Sequence, residues 1–349
     1  MATPAALVRR WGGRAIALAV TGVGLYVVAP GLLSLFGSWP RLAEVQLRWF
    51  VLLVLLQTAS FASLWWLTRL ALEPHPGDGD DAGEVRRVGW GTVASAQLAG
   101  SAASKVVPGG AATGGAVQGK LLIQAGQPGA AVASALAGVA LITTAVLLLL
   151  PVLTIPALLI GPPPEEELRL GLLVSLVVAV VIVGVGVTVL TWPRVLTTTG
   201  RLVGHVLHRV RPSVTADSMA ILLTAQRARV AAAFQGRWWL AVFLAAANRM
   251  FDYAALVAAL AAFGVHARPS EVLLAYVVAQ ALAIVPITPG GLGFVESGLT
   301  ALLVVIGVPV DVSVIATLLY RLVSFWLPIP IGVLAWAGWR VHLGRTQSR

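Results

Sequence analysis

Six stretches of this chain are too apolar and too long for a water-facing fold. Residues 16–36, 50–67, 129–150, 170–190, 238–263 and 312–339 approach or exceed the roughly 20 residues with which a helix crosses a ~30 Å hydrocarbon core. Lipid offers the backbone no partners, so each crossing must satisfy its own N–H and C=O groups as a helix. Hydrophobic residues make up 58% of the chain and charged ones 11%. These runs predict an all-α polytopic membrane protein. The first run follows Arg9, Arg10 and Arg14 and is not followed by a small-residue cleavage pattern, so it reads as an uncleaved anchor.

The formal net charge of +10 is not a nucleic-acid footprint, because the arginines gather at the ends of the apolar runs. With both termini in the cytoplasm, 16 of the 24 Lys and Arg residues fall at the inner side. Arg41, Arg48, Arg169 and Arg268 fall outside, and Lys105, Lys120, Arg249 and Arg321 fall at membrane depth. That asymmetry predicts an N-in, C-in arrangement. Segment 193–237 alternates basic and apolar positions at helical spacing, which predicts cytoplasmic helices lying on anionic headgroups. It separates a first half, about 49–192, from a second, about 238–342, within one integral membrane domain. The chain has no cysteine, which excludes disulfides and thiolate chemistry. Its five histidines form no metal-ligand spacing, and no nucleophile, base or acid pair stands at a catalytic spacing. Neither enzyme chemistry, a metal nor a cofactor is implied.

Two stretches fit none of the six runs, about 90–127 and 270–309. One carries VVPGGAATGGAVQGKLLIQAGQPG and the other ITPGGLGFVESGLTALLVVIGVPV. A shift of 181 residues carries Pro108, Gly109 and Gly110 onto Pro289, Gly290 and Gly291, and Gly126 and Pro128 onto Gly307 and Pro309. This points to an internal duplication. The limbs after the breaks, about 116–126 and 295–307, would span roughly half the core, so each stretch reads as a re-entrant hairpin. On the charge topology the first enters from the cytoplasm and the second from outside. The expected fold is therefore six full transmembrane helices plus two oppositely inserted hairpins, an inverted repeat. Backbone freed at a Pro-Gly-Gly break must be buried in protein or line a wet cavity, and the following helix N-terminus points N–H groups into it.

Charges at depth mark candidate sites. Glu296 opens the second limb, and Arg321 follows Tyr320 in the last span; the two are read as partners. Under the 181 shift they fall on Gly115 and Ala140, so the repeat is symmetric in backbone and asymmetric in charge. Lys105 and Lys120, the two lysines of the chain, flank the first break, where an ammonium suits a phosphate or snorkels to the interface. Asn248, Arg249 and Asp252 form a secondary polar group on one helix, Arg249 and Asp252 being spaced to neutralise each other.

The segment TPGGLGFVE at 288–296, with TLLYR at 317–321, resembles the flippase-like transmembrane family, the membrane region of bacterial lysylphosphatidylglycerol synthases. The resemblance covers about 10–342. Gly290, Gly291, Gly293 and Glu296 carry its most specific motif, Arg321 matches its downstream arginine, and VPGGAATGG resembles a first-half motif of some members. Two features depart from the family pattern. No acid lies between Lys105 and Gly126, and no soluble aminoacyl-transfer domain is seen after Trp339. What the resemblance implies is the lipid-translocating half, without lysyl transfer.

The expected function is movement of an anionic or phosphate-bearing lipid between leaflets. Its headgroup would be met by Lys105, Pro108, Gly109, Gly110, Lys120, Pro289, Gly290, Gly291, Gly293, Glu296, Tyr320 and Arg321. The rival expectations are an accessory subunit holding a membrane enzyme at the cytoplasmic face, and a small-solute or ion transporter. The abundance of Arg over Lys, with much Ala, Val and Gly, suits a GC-rich bacterium, which would place the chain in an inner (plasma) membrane.

Overall fold

In a computed structural model, residues 45–73, 88–107, 110–151, 236–284 and 291–347 are described, with positions 198 and 234. Their regular structure is helical throughout: α1 Leu47–Ala71, α2 Trp90–Val106, α3 Gly110–Gln124, α4 Gly129–Leu149, α5 Trp238–Ala261, α6 Pro269–Ile284, α7 Phe294–Val305, α8 Val310–Arg321, a π-helical turn Leu322–Trp326, and α9 Pro328–Gln347. Among the described residues four runs are long and apolar enough to cross a membrane: Leu47–Ala71, Gly129–Leu149, Trp238–Ala261 and Val310–Val341. These correspond to four of the six expected spans. The expected spans near 15–36 and 170–192 lie outside the described residues, as does nearly all of segment 193–237.

The interior is apolar at Leu53, Leu67, Leu256 and Leu303, yet Ser60, Thr68, Thr143, Asp252, Ser313, Thr317 and Arg321 are buried with it, while Leu47, Leu55, Phe243 and Leu334 stand exposed. Large apolar side chains outside and polar groups held inside suit an apolar solvent, where polar side chains face the bundle interior.

The chain forms two compact units. The first comprises the described parts of Met1–Thr58, Ala94–Leu121 and Asp252–Arg349, and the second those of Ala59–Val93 and Leu122–Phe251. In the second, the end of α1 meets the start of α2, where Arg69 Cζ lies 4.7 Å from the Trp90 ring centroid and Trp66 packs edge-on to the same ring. In the first, α2 and α3 approach so closely that a Cβ on Gly100 would sit 2.7 Å from the Gly114 carbonyl oxygen.

Helix ends recur at the 181-residue shift. Gly126 and Gly307 have φ of 90° and 87°. Each sits after a helix whose last carbonyls are capped in the same way: Gln127 N–H donates to Leu122 O, and Val308 N–H to Leu303 O. Pro128 and Pro309 then open α4 and α8 with nearly the same backbone angles. Gly110 and Gly291, also at matching positions, have φ of 52° and 70°.

Two expectations need correction. The limb after the first break starts at Gly110 rather than near 116, and at 15 residues it is about 22 Å long, more than half a core. The Ala-Ala-Thr-Gly-Gly run stays helical because α2 packs tightly against it at Gly100 and Gly114. The last span is not one straight helix either. It widens into a π turn after Arg321, with Leu327 N–H donating to Leu322 O at 2.8 Å, and continues from Pro328.

Candidate functional site

The site is built in the first unit around the start of α7 and the end of α8. Gly293, with φ 76°, turns the chain into α7, and Glu296 stands three residues on in the first turn. One carboxylate oxygen, Oε2, accepts the Gly293 N–H at 2.7 Å. A carboxylate there satisfies an unpaired helix N–H and meets the positive end of the helix dipole. The other oxygen, Oε1, accepts Arg321 Nε–H at 2.7 Å, and the Arg321 and Glu296 side chains are 9% and 18% exposed. The expected partnership is therefore present, and it ties the break to the last span.

Arg321 Cζ lies 4.2 Å from the Phe325 ring centroid, and Lys105 Nζ lies 5.2 Å from the same centroid. Phe325 is buried. One ring thus meets two cations through its negative faces and edges a charge cluster. Lys105, in the last turn of α2, donates from Nζ to the Ser324 and Phe325 carbonyls at 2.9 and 3.2 Å.

Beside this lies a second buried carboxylate. Asp252 Oδ2 accepts Tyr276 O–H at 2.8 Å, Gln280 Nε2–H at 2.8 Å and Tyr320 O–H at 3.0 Å. Three neutral donors on one oxygen replace the water that a buried charge has lost. Tyr276 and Gln280 are four apart on α6 and so share a face, and Tyr320 immediately precedes Arg321. Tyr253 stacks edge-on against Tyr276 and donates to the Pro269 carbonyl at 2.7 Å, fixing the α5–α6 connection.

The structure brings together Lys105, Asp252, Glu296, Tyr320 and Arg321, with Gly293 bonded to Glu296. Gly291 and Gly110 stand at the starts of their limbs, and Lys120 is exposed on α3, outside this cluster. Pro108, Gly109, Pro289 and Gly290 lie outside the described residues. The group Asn248, Arg249 and Asp252 does not act as one. Asn248 Nδ2 donates to the Ser60 carbonyl and Oγ, and Ser60 Oγ donates back to Asn248 O, all at 2.9 Å in the second unit. The expected Arg249–Asp252 neutralisation is replaced: Asp252 is held by two tyrosines and a glutamine, and Arg249 Nε is buried without a hydrogen-bond partner. Sequence reasoning missed Tyr276, Gln280 and Phe325. The signal was there in Tyr276 and Gln280, two polar residues at i, i+4 in an otherwise apolar helix. Among the described residues no group of three His, Asp or Glu side chains is placed to hold a metal ion.

Helices long enough to span, large apolar side chains on the outside and a charge cluster among the helices define a polytopic helical membrane protein. The family model described as the lysylphosphatidylglycerol synthase TM region matches residues 14–332, and the chain belongs to that family. It is also similar to a UPF0104 membrane protein of Pyrococcus horikoshii, 39% identical over 62 residues, which is 18% of this chain and 18% of that protein. A UPF0104 membrane protein of Methanothermobacter thermautotrophicus is 34% identical over 73 residues, 21% of this chain and 22% of that protein. The matches thus span about a fifth of the length of these curated relatives.

Proposed function

We propose that this protein carries a lipid with an anionic, phosphate-bearing headgroup between membrane leaflets, acting as a translocase and not as an enzyme. The observation that carries this reading is the cluster of buried Arg321 and Asp252 with half-buried Glu296 and Lys105, in a helical bundle that turns large apolar side chains to its surroundings. Intramembrane charges of this kind mark substrate and ion pathways. Arg321 offers a planar fork suited to phosphate, and Lys105 a compact positive charge. Membership of a family named for the membrane region of a lipid-modifying synthase supports a lipid as the cargo. The acyl chains stay in the bilayer while the headgroup passes the cluster.

In this reading, 90–127 and 270–309 are hairpins inserted from opposite faces, whose breaks meet near the midplane as in transporters built from inverted repeats. The recurring helix ends at Gly126 and Gly307 support the duplication. The termini face the cytoplasm of a bacterial cell, following the arginine bias.

The test is purified full-length protein in liposomes carrying quenchable lipids of different headgroups. Wild type, Glu296→Gln and Arg321→Ala are compared after each is shown to be monodisperse. Fast movement of phosphate-bearing lipids by wild type, slowed at least about tenfold in both folded variants, is expected. No headgroup moving faster than in empty liposomes would overturn the reading and favour an accessory subunit that holds a membrane enzyme.

A further inference from the structure

The last span contains a defect that its own backbone cannot mend. Pro328 has no N–H, so the Ser324 carbonyl lacks the donor four residues on that an α-helix would supply. The Ile329 N–H is then the one helical donor left for both the Ser324 and Phe325 carbonyls, five residues on from the first and four from the second, so the backbone can serve only one of them. Buried in an apolar surrounding, unpaired carbonyls are costly.

The missing donor comes from another helix. Lys105 Nζ is 2.9 Å from Ser324 O and 3.2 Å from Phe325 O, the two carbonyls left to share one helical N–H. An ammonium has three donors and no acceptor, so one lysine can cap both. The two helices are close enough for this to be a fixed arrangement. A Cβ on Gly332 of α9 would lie 2.7 Å from Ala102 Cβ, and Ala102 is one turn before Lys105 on α2. The capped turn directly follows Arg321, whose guanidinium lies over Phe325, the residue that gives one of the two carbonyls.

We propose that Lys105 is the latch of a hinge at Leu322–Trp326: it makes up for the N–H donor that Pro328 removes, and an anionic headgroup opens the hinge by drawing the ammonium off the carbonyls. The capping role stands on the geometry alone; the release rests on the lipid reading above. A phosphate adds to its hydrogen bond a charge–charge attraction that a neutral carbonyl cannot offer, so one arriving beside Arg321 competes for Nζ. Once Lys105 lets go, one of the two carbonyls lacks a donor again and α9 is free to swing against α8.

Pro328→Ala supplies the test, because it restores an N–H for Ser324. Amide hydrogen exchange is measured by mass spectrometry over residues 322–334 of the full chain in detergent micelles. In the wild-type background Lys105→Met is expected to speed exchange about tenfold, and Lys105→Arg to retain most of the protection. In the Pro328→Ala background Lys105→Met is expected to change it less than about threefold. Equal effects of Lys105→Met in both backgrounds would overturn the capping role, since a general packing defect is blind to the proline. Doping the micelles with phosphatidic acid is expected to speed exchange in wild type and leave Lys105→Met unchanged, with phosphatidylcholine doing neither. A wild type that ignores phosphatidic acid would overturn the release. A wild type that responds here but moves no lipid in liposomes would count against translocation and not against the latch.

Discussion

Arg321 donates its Nε–H to Glu296 Oε1 at 2.7 Å while Glu296 Oε2, on the same carboxylate, takes the Gly293 N–H at 2.7 Å. One side chain thereby answers two needs of an apolar setting. It neutralises a guanidinium in the last span, and it caps the helix that restarts after the break. The break and the charge occur together because each resolves a difficulty that the other creates. A helix N-terminus in lipid leaves N–H groups unpaired, and a lone carboxylate in lipid lacks a counter-charge.

This double role makes the two partners unequal. Arg321→Met leaves a carboxylate whose charge is only partly met by a helix end, and a cost of about 3–5 kcal/mol is expected, as for other broken buried pairs. Glu296→Gln strands the Arg321 cation, but an amide oxygen still accepts one of the two donors and the Phe325 ring still faces the guanidinium, so the low end of that range, about 3 kcal/mol, is expected. The double variant should lose less than the two singles combined, because no charge is then left without its partner. Denaturant or thermal unfolding in one detergent checks all three, and strict additivity would argue against a working pair.

The Asp252 cradle allows a similar separation. Tyr276→Phe and Tyr320→Phe each delete one donor to the carboxylate without changing ring volume, and each should cost about 1.5–3 kcal/mol. In an Asp252→Ala background the same two changes should cost much less, since the hydroxyls have lost the acceptor that they serve. If Tyr320→Phe costs the same with and without Asp252, its hydroxyl is held chiefly by Gln280, which lies 3.1 Å away.

Four of the six expected spans, the positive-φ glycines at Gly110, Gly291 and Gly293, and the Glu296–Arg321 pair were legible in the sequence for one reason. Each is a departure from an otherwise apolar background, and in lipid a departure needs a cause. The Asp252 cradle was not, because its donors Tyr276 and Gln280 come from a helix whose polar residues are ordinary singly and gain meaning only when folded against α5. The partners of Lys105 were hidden more deeply. They are main-chain carbonyls, which carry no residue signature, and their need shows only when Pro328 is read as a missing donor. Arg249 and Asp252 show the opposite error. A spacing of three on one helix permits a salt bridge, yet the tyrosines on α6 and α8 reach the carboxylate instead.

Asn248 and Ser60 exchange three hydrogen bonds at 2.9 Å, two of them to main-chain oxygen. Asn248→Leu removes the two that the side-chain amide donates and leaves the Ser60 hydroxyl on the main-chain carbonyl of residue 248. The expected loss is about 0.6–1.7 kcal/mol, the range for interhelical hydrogen bonds in membrane helices, with lipid movement retained. Loss of activity in a stable Asn248→Leu protein would instead move this pair into the transport path.

Three glycines of α2 and α3 offer a graded test of how closely the limbs of the first break must pack. A Cβ on Gly100 would lie 2.7 Å from the Gly114 oxygen, and a Cβ on Gly114 would lie 2.7 Å from both the Gly100 oxygen and Ser104 Cβ. Backbone cannot move aside as a side chain can, so Gly100→Ala and Gly114→Ala should force the helices apart and cost about 1–3 kcal/mol each. Gly115 is the next residue on α3, and a Cβ there meets nothing within 4 Å. Gly115→Ala should therefore be neutral or stabilising by up to about 1 kcal/mol, through helix propensity alone. Unfolding midpoints of the three variants in one detergent decide the matter. A Gly100→Ala protein as stable as Gly115→Ala would mean that α2 and α3 do not touch at this point. The tight packing that keeps α3 helical from Gly110 would then need another explanation.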